Sequence, residues 1–171
     1  MAELKQEQAA KKGDLRMIAL KIEDLKTFTA QLFMGETFDY WLVREANIVT
    51  FNSFTIDGRI RQGYYSDEEL ETNRIEELSS WKTLRPFCYS LIRGRKLPES
   101  FQITLQLSPE ENEKFIRRVK PDLSADQVAA LYLNIRYENH AAACVTGTSL
   151  KIFMLDKQIE QEWDETVRRY F

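Results

Sequence analysis

The chain has 171 residues and a formal net charge of −3 at pH 7. This charge disfavours nucleic-acid binding through a strongly basic surface, although a local basic face can exist on an acidic protein. The apolar fraction of 43% and the charged fraction of 30% are typical of a globular protein that forms its core without a metal or a disulfide. The apolar runs are far shorter than the roughly 20 residues of a membrane-spanning helix, so we predict a cytoplasmic protein without membrane contact.

The chain begins with a polar leader. Residues 1–16 carry charge but no apolar stretch, which is unlike a secretory signal. The sequence leaves open whether translation starts at Met1 or at Met17. Apolar and polar residues alternate over 17–22, which predicts a strand. A stripe of apolar side chains then predicts a helix over 24–34, ended by Gly35.

The stretch 38–60 is rich in β-branched and aromatic residues, which predicts two or three strands. Turns are expected at 45–47 and at 57–58, because Asn, Asp and Gly tolerate positive φ angles. Residues 17–60 therefore follow the order β-α-β-β.

Residues 61–100 connect this unit to the next one. The acidic run at 67–77 predicts a solvated connector that becomes helical. A helix containing Pro86 follows, and this proline either kinks the helix or begins a new one at its first turn. The residues expected on the apolar face of this helix are Phe87, Cys88, Leu91 and Ile92.

A second β-α-β-β unit is predicted over 101–155. Alternating apolar residues predict a strand at 101–107. The helix at 109–119 has Ser108 as its N-cap, acidic residues in its first turn and basic residues in its last turn, which complements the helix dipole. A loop with a short helix then leads to three strands over 131–155.

An amphipathic C-terminal helix, capped by Asp156, is predicted over 156–170. Together the elements predict an α+β fold of mostly antiparallel strands packed against helices. The same order of elements, with an Arg three residues before an Asn, occurs in 17–60 and 101–155. We therefore predict an internal duplication within a single domain at 17–171.

Few residues suggest catalysis or metal binding. The two cysteines, Cys88 and Cys144, lack C-x-x-C spacing and are expected to be buried, reduced thiols. The single histidine, His140, follows Glu-Asn in a hairpin and is expected at an exposed turn. We predict no catalytic residue, no metal and no cofactor.

Two groups of residues are candidate binding sites. The basic patch comprises Arg93, Arg95, Lys96, Lys114, Arg117 and Arg118. If these cations face one way they would bind phosphate or an acidic partner, and otherwise they only complement two helix ends. The loop-tip site comprises Asp57, Arg59 and Thr146. The alternatives at these positions are a hairpin corner at 57–59 and a β-turn at 145–149.

Several stretches of the chain resemble a family of short clostridial proteins that has no assigned function. They are MIALKI, TFNSFTIDGRI, SWKTLRPFCYSLIRGRKLP, LYLNIRY and VTGTSLKIF. The resemblance covers nearly all of 17–171 and leaves out the leader. It implies a bacterial cytosolic protein but supplies no activity, ligand or catalytic residue.

A looser likeness is to the repeated unit of DNA sliding clamps. A strand, a helix and a hairpin ending near Thr and Gly occur twice, and LKIEDLKTF followed by NIVTFNSFTIDGRI is the most similar part. The insertion at 66–98 departs from that pattern. The first helix also carries only one basic residue, Lys26, for contacts with DNA phosphates. A clamp built from such a chain would also need several copies to close a ring.

Three functions follow as hypotheses. The leading one is a non-enzymatic binding or interaction module with a protein partner or self-association, because catalytic motifs are missing and aromatic residues are abundant. Trp41, Trp81 and Trp163 are expected as core or interface anchors. The alternatives are a clamp-like protein acting on duplex DNA and an enzyme acting on a phosphorylated small molecule near Arg59 and Thr146.

Overall fold

The computed structural model describes residues 18–152 and 156–171. The predicted leader, the alternative start at Met17 and the end of the last predicted strand lie outside the described residues. The described residues form five α-helices and one six-stranded antiparallel sheet. The predicted α+β class is confirmed.

The elements follow one another in the predicted order, with differences in detail. The strands are β1 Ala19–Ile22, β2 Leu42–Val49, β3 Ser53–Asp57, β4 Ser100–Gln106, β5 Val128–Glu138 and β6 Ala141–Leu150. The helices are α1 Leu25–Phe33, α2 Asp67–Thr72, α3 Trp81–Ile92, α4 Pro109–Val119 and α5 Gln158–Arg168. Short 3-10 helices lie at Gln62–Tyr64 and Ala125–Gln127.

The strand order in the sheet is β1-β6-β5-β4-β2-β3. Both predicted units therefore contribute to one sheet. In the second unit β4 pairs with β5, whereas β1 of the first unit pairs with β6 and not with β2. Each unit contains an antiparallel hairpin, β2–β3 or β5–β6, but the pairing of the first strand does not repeat, and the duplication stays a prediction.

Local capping explains where the main helices begin. Ser108 accepts a hydrogen bond from the backbone N–H of Glu111, and the acidic first turn and basic last turn of α4 are those expected from the sequence. Asp24 and Ser80 cap α1 and α3 in the same way. The start of α5 differs from the prediction, because Asp156 lies one residue before the N-cap and accepts from the N–H of Gln158.

Helix α3 runs through Pro86 as one helix. Three of the four residues predicted for its apolar face, Cys88, Leu91 and Ile92, contact the core, whereas Phe87 is 63% exposed. The core-contacting stripe follows positions 81, 84, 88 and 91, which are three or four residues apart, and Tyr89 and Ile92 pack beside it. Phe87 lies off that stripe.

Two segments that were predicted as turns lie inside strands. Residues 45–47 lie in the middle of β2, where Ala46 is fully buried and hydrogen-bonded strands flank both sides. The hairpin turn is instead at 50–52. Residues 145–149 lie within β6, and the described residues of 131–152 form two long strands where three had been expected over 131–155. Pairing with neighbouring strands outweighs the turn preference of Asn and Gly at these positions.

The core lies on one face of the sheet, which we call the helix-covered face. Helices α1, α3, α4 and α5 and the inward residues of the sheet form one apolar cluster. Trp41, Trp81 and Trp163 are at most 4% exposed, which confirms their predicted place in the core. The opposite face of the sheet is polar.

A groove on the open face of the sheet

We call the polar side of the sheet the open face. It is formed by the alternate residues of each strand, and strand pairing places them in rows across the sheet. One row comprises Lys21, Ala143, Arg136, Gln102, Asn47 and Thr55. The next row comprises Ala19, Val145, Asn134, Thr104, Glu45 and Asp57.

Polar side chains at the centre of the open face hydrogen-bond to one another. The Thr104 hydroxyl donates to Asn134 Oδ1 at 2.7 Å, and Gln102 Nε2 donates to the same oxygen at 3.3 Å. The Thr55 hydroxyl donates to Asn47 Oδ1 at 2.8 Å. These contacts hold the centre of the face in a fixed pattern of donors and acceptors.

A β-bulge in β2 alters the alternation of side chains on this face. The pairing of β2 with β4 shifts register between Val43 and Glu45, which leaves Arg44 as an extra residue. Val43 and Ala46 are fully buried, while Arg44 and Glu45 are both exposed. The bulge therefore lets two consecutive charged side chains project from the open face and returns Ala46 to the core.

Gly58 supports the bulge from the neighbouring segment. Its N–H donates to the carbonyl of Arg44 at 3.0 Å, and its carbonyl accepts from the N–H of Ser79 at 2.8 Å. A Cβ atom on Gly58 would lie 1.7 Å from the carbonyl oxygen of Val43. Only glycine permits this close approach of two backbones.

A groove of about 610 Å³ lies over the bulge. This volume is within the range of small-molecule sites. The groove is lined by Arg44, Glu45, Thr55, Asp57, Arg59, Glu77, Leu78, Thr104, Gln106, Ala129 and Tyr132. Its lining is polar except for Leu78, Ala129 and the ring of Tyr132.

The side chain of Arg44 is held in place by two neighbouring strands. Its Nη1 donates to the hydroxyl of Tyr132 at 2.9 Å and to Gln106 Oε1 at 3.3 Å. The guanidinium carbon lies 5.0 Å from the centre of the Tyr132 ring, within reach of a cation–π contact. Tyr132 and Gln106 are themselves fixed on β5 and β4, so the guanidinium has a defined position in the groove.

Asp57 and Arg59 form an ion pair at the groove wall. Arg59 Nη2 lies 2.8 Å from Asp57 Oδ2, and Arg59 Nε and the backbone N–H of Arg59 also donate to this carboxylate. These hydrogen bonds lower the pKa of Asp57 to about 2. The carboxylate therefore keeps its charge throughout the physiological pH range.

The acidic wall of the groove is completed by two further carboxylates. Glu45 lies directly opposite Asp57 in the pairing of β2 and β3, and Glu77 lines the same groove. Among the described residues, no ion pair involves Glu45, Glu77 or Arg44. The groove thus carries one cation and two carboxylates that form no ion pair with any residue in 18–152 or 156–171.

The structure brings together only part of the predicted loop-tip site. Asp57 and Arg59 meet as described, but Thr146 is 2% exposed and lies on the helix-covered face. Its hydroxyl donates to Asp164 Oδ1 at 2.5 Å and accepts from the N–H of Ile18 at 3.1 Å. Thr146 ties β1 and α5 to β6 and does not reach the groove.

The predicted basic patch falls on two separate elements. Arg93, Arg95 and Lys96 are exposed in the loop after α3. The cations of α4 make contacts within that helix. Lys114 Nζ lies 3.4 Å from a carboxylate oxygen of Glu110 and 2.9 Å from one of Glu111, and Arg117 forms an ion pair with Glu113. The guanidinium carbon of Arg118 lies 5.5 Å from the centre of the Phe115 ring. Local carboxylates therefore offset much of the positive charge of α4.

Two smaller depressions accompany the groove. One of about 330 Å³ lies on the open face between Lys21 and Arg136, over an alanine floor. The other, about 300 Å³, lies between α4 and α5, where it is lined in part by Trp41 and Tyr170. The groove at Arg44 is about twice as large as either, and Tyr132 and Gln106 hold its cation in place.

The two thiols and the histidine lie apart from the groove. Burial raises the pKa of Cys88 to about 12 and also raises the pKa of Cys144, which disfavours the reactive thiolate form. Asn139 and His140 have φ angles of 52° and 59°, which fits a two-residue hairpin turn, and His140 is exposed as predicted.

Within 18–152 and 156–171, no group of three or more His, Cys, Asp or Glu residues could hold a metal ion. No helix in these ranges is long and apolar enough to cross a membrane.

Sequence reasoning missed most of the groove. Arg44, Gln106 and Tyr132 come from three strands that are distant in the chain, and no short motif joins them. One local signal was present. In LVREANIV the alternation breaks at two consecutive charged residues between apolar ones, a pattern typical of a bulge.

Comparison with known proteins gives a family but no function. The profile of a family of unknown function (DUF5721) matches residues 31–171. Neither a curated protein nor a solved structure matches the chain.

Proposed function

For this chain, which belongs to that family of unknown function over residues 31–171, we propose the role of a binding module with the groove at Arg44 as its ligand site. The observation that carries the proposal is the fixed guanidinium of Arg44, which Tyr132 and Gln106 position within a groove of about 610 Å³. A side chain that is already positioned loses little conformational entropy on binding, which favours affinity.

The construction of the groove supports the same proposal. A bulge exposes Arg44 and Glu45 together, and a glycine that no other residue could replace supports that bulge. Bulges of this kind are enriched beside functional sites because they re-aim a side chain. Polar residues with defined hydrogen bonds surround the groove, as in sites that orient a small ligand.

The binding proposal is tested by titrating a fragment library into the intact chain, with two-dimensional amide NMR as the readout. The library contains carboxylates, amines, zwitterions, sugars and nucleosides. We expect ligands to shift the amides of β2, β3 and β5 around Arg44, and R44Q to weaken their binding about tenfold, through loss of a charge-assisted contact.

The matched control is R117Q, which removes an exposed, ion-paired arginine from α4. This variant is expected to bind as the unmodified protein does. A library that shifts no groove amide, or ligands whose affinity is the same in R44Q, would contradict the proposed binding function.

A clamp-like protein acting on duplex DNA is a second proposal. It is favoured by the position of α1, α3, α4 and α5 on one face of a continuous sheet and by the exposed cations at 93–96. Light scattering on a sizing column tests it: a closed multi-subunit ring that binds duplex DNA in a salt-dependent way is expected. A monomer, or DNA binding unaffected by salt, would overturn this second proposal.

We also infer a cytoplasmic location, because Cys88 and Cys144 are both unpaired and buried. Free thiols are typical of a reducing compartment. Fractionation of cells that express the tagged chain is expected to recover it with cytoplasmic proteins, and recovery outside the cytoplasm would contradict this inference.

A further inference from the structure

We propose that the groove binds a small zwitterionic molecule of the amino-acid class, with its anionic group on Arg44 and its cationic group against Glu45 and Glu77. This inference rests on the proposed binding function and specifies its ligand. It follows from the two kinds of charge that the groove leaves uncompensated.

The anionic half of the ligand is assigned to Arg44. The hydrogen bonds of Arg44 to Tyr132 and Gln106 both use Nη1. Its Nε and Nη2 atoms make no hydrogen bond to any described residue. These two groups form the side of the guanidinium that a carboxylate engages with two parallel hydrogen bonds.

The cationic half of the ligand is assigned to Glu45 and Glu77. Asp57 is occupied by Arg59, whereas Glu45 and Glu77 have no cationic partner within the described chain. Glu45 also lies directly opposite Asp57 on the neighbouring strand, and like charges in this arrangement destabilise a sheet. An ammonium group beside Glu45 relieves that repulsion.

The charge of the groove selects against other classes of ligand. Its ionised side chains are Arg44, Arg59, Glu45, Asp57 and Glu77, which give two positive and three negative charges. A polyanion such as a nucleic acid would meet more carboxylates than cations there. A molecule with one charge of each sign fits both halves, and the volume of about 610 Å³ admits one with a side chain or spacer between them.

The test is an amide NMR titration with probes that differ in the distance between their charges. The zwitterionic probes are glycine, 4-aminobutanoate and 6-aminohexanoate, and the single-charge probes are acetate and methylammonium at matched ionic strength. We expect at least one zwitterion to shift the amides around residues 44, 57 and 132 and to bind about tenfold more tightly than either single-charge probe.

Variants separate the two halves of the site. R44Q and E45Q are each expected to lower the binding affinity for the zwitterion about tenfold. E113Q serves as the matched control, because Glu113 pairs with Arg117 on α4 and this variant is expected to bind normally.

The outcomes distinguish this inference from the proposed binding function. The ligand class is wrong, and the proposed binding function is retained, if acetate binds as tightly as the zwitterions. The same holds if only uncharged library members shift the amide signals of the groove residues. If neither the zwitterions nor any member of the library shifts the amide signals of the groove residues, both proposals fail. Zwitterion binding that R44Q weakens but E45Q leaves unchanged overturns the ligand class alone, and binding that is unchanged in R44Q contradicts both proposals.

Discussion

The side chains of Asp57 and Arg59, two residues apart in the chain, form an ion pair that lines one wall of the groove. The short spacing lets the guanidinium and one backbone N–H of Arg59 reach the same carboxylate. The hydrogen bonds lower the pKa of Asp57 from 3.8 to about 2. The pair therefore stays intact over the pH range in which a ligand would be tested.

We expect a carbon-detected NMR titration of the Asp57 carboxyl to have its midpoint near pH 2. Because the folded-state pKa is depressed, the pair contributes its stability above about pH 3.8 and loses it as the pH falls towards 2. In R59Q the midpoint should rise towards 3.8, since Arg59 is the main cause of the shift. An unchanged midpoint in R59Q would show that another interaction holds the pKa down.

At the scale of elements, the bulge in β2 and the segment at Gly58 depend on each other. The bulge needs a partner for the carbonyl of Arg44, and the N–H of Gly58 supplies it. The backbone of Gly58 can approach β2 only because the residue has no Cβ. The position of Arg44 in the groove thus depends on a glycine in another segment.

We expect G58A to lower the free energy of unfolding by about 1–3 kcal/mol or more, because the added Cβ would lie far inside contact distance of Val43. Urea unfolding followed by circular dichroism measures the change. The control is G63A, since a Cβ at Gly63 would meet no atom within 4 Å. Equal unfolding midpoints for the two variants would contradict the close packing at Gly58.

At the scale of the whole molecule, one apolar cluster joins both predicted units and the C-terminal helix. Aromatic pairs cross these boundaries: Phe33 with Phe101 at 5.4 Å, Trp41 with Trp163 at 5.8 Å and Phe28 with Phe171 at 5.4 Å. Neither unit has a separate core among the described residues.

We therefore expect the chain to unfold in one cooperative transition. Near-ultraviolet circular dichroism of the buried tryptophans and far-ultraviolet circular dichroism of the backbone should give the same midpoint in urea, because the same cluster stabilises both. Two separate midpoints would mean that the units unfold independently, which would favour two autonomous halves.

The local features of this protein could be predicted from its amino-acid sequence. It predicted the α+β class, the capping of α4 by Ser108, the exposed turn at His140 and the burial of the three tryptophans. These features depend on residues a few positions apart, whose hydrogen bonds and side-chain periodicity are visible in a short window of sequence.

The strand order and the groove could not be predicted from the sequence, because they depend on contacts between distant segments. Arg44 meets a tyrosine 88 positions away, and Thr146 is buried against Asp164. Both depend on which strands pair and in which register, and a shift of one residue moves every side chain of a strand to the opposite face. Burial of the apolar face and backbone pairing across the whole sheet fix that register, so a local turn preference such as that of 45–47 is overridden.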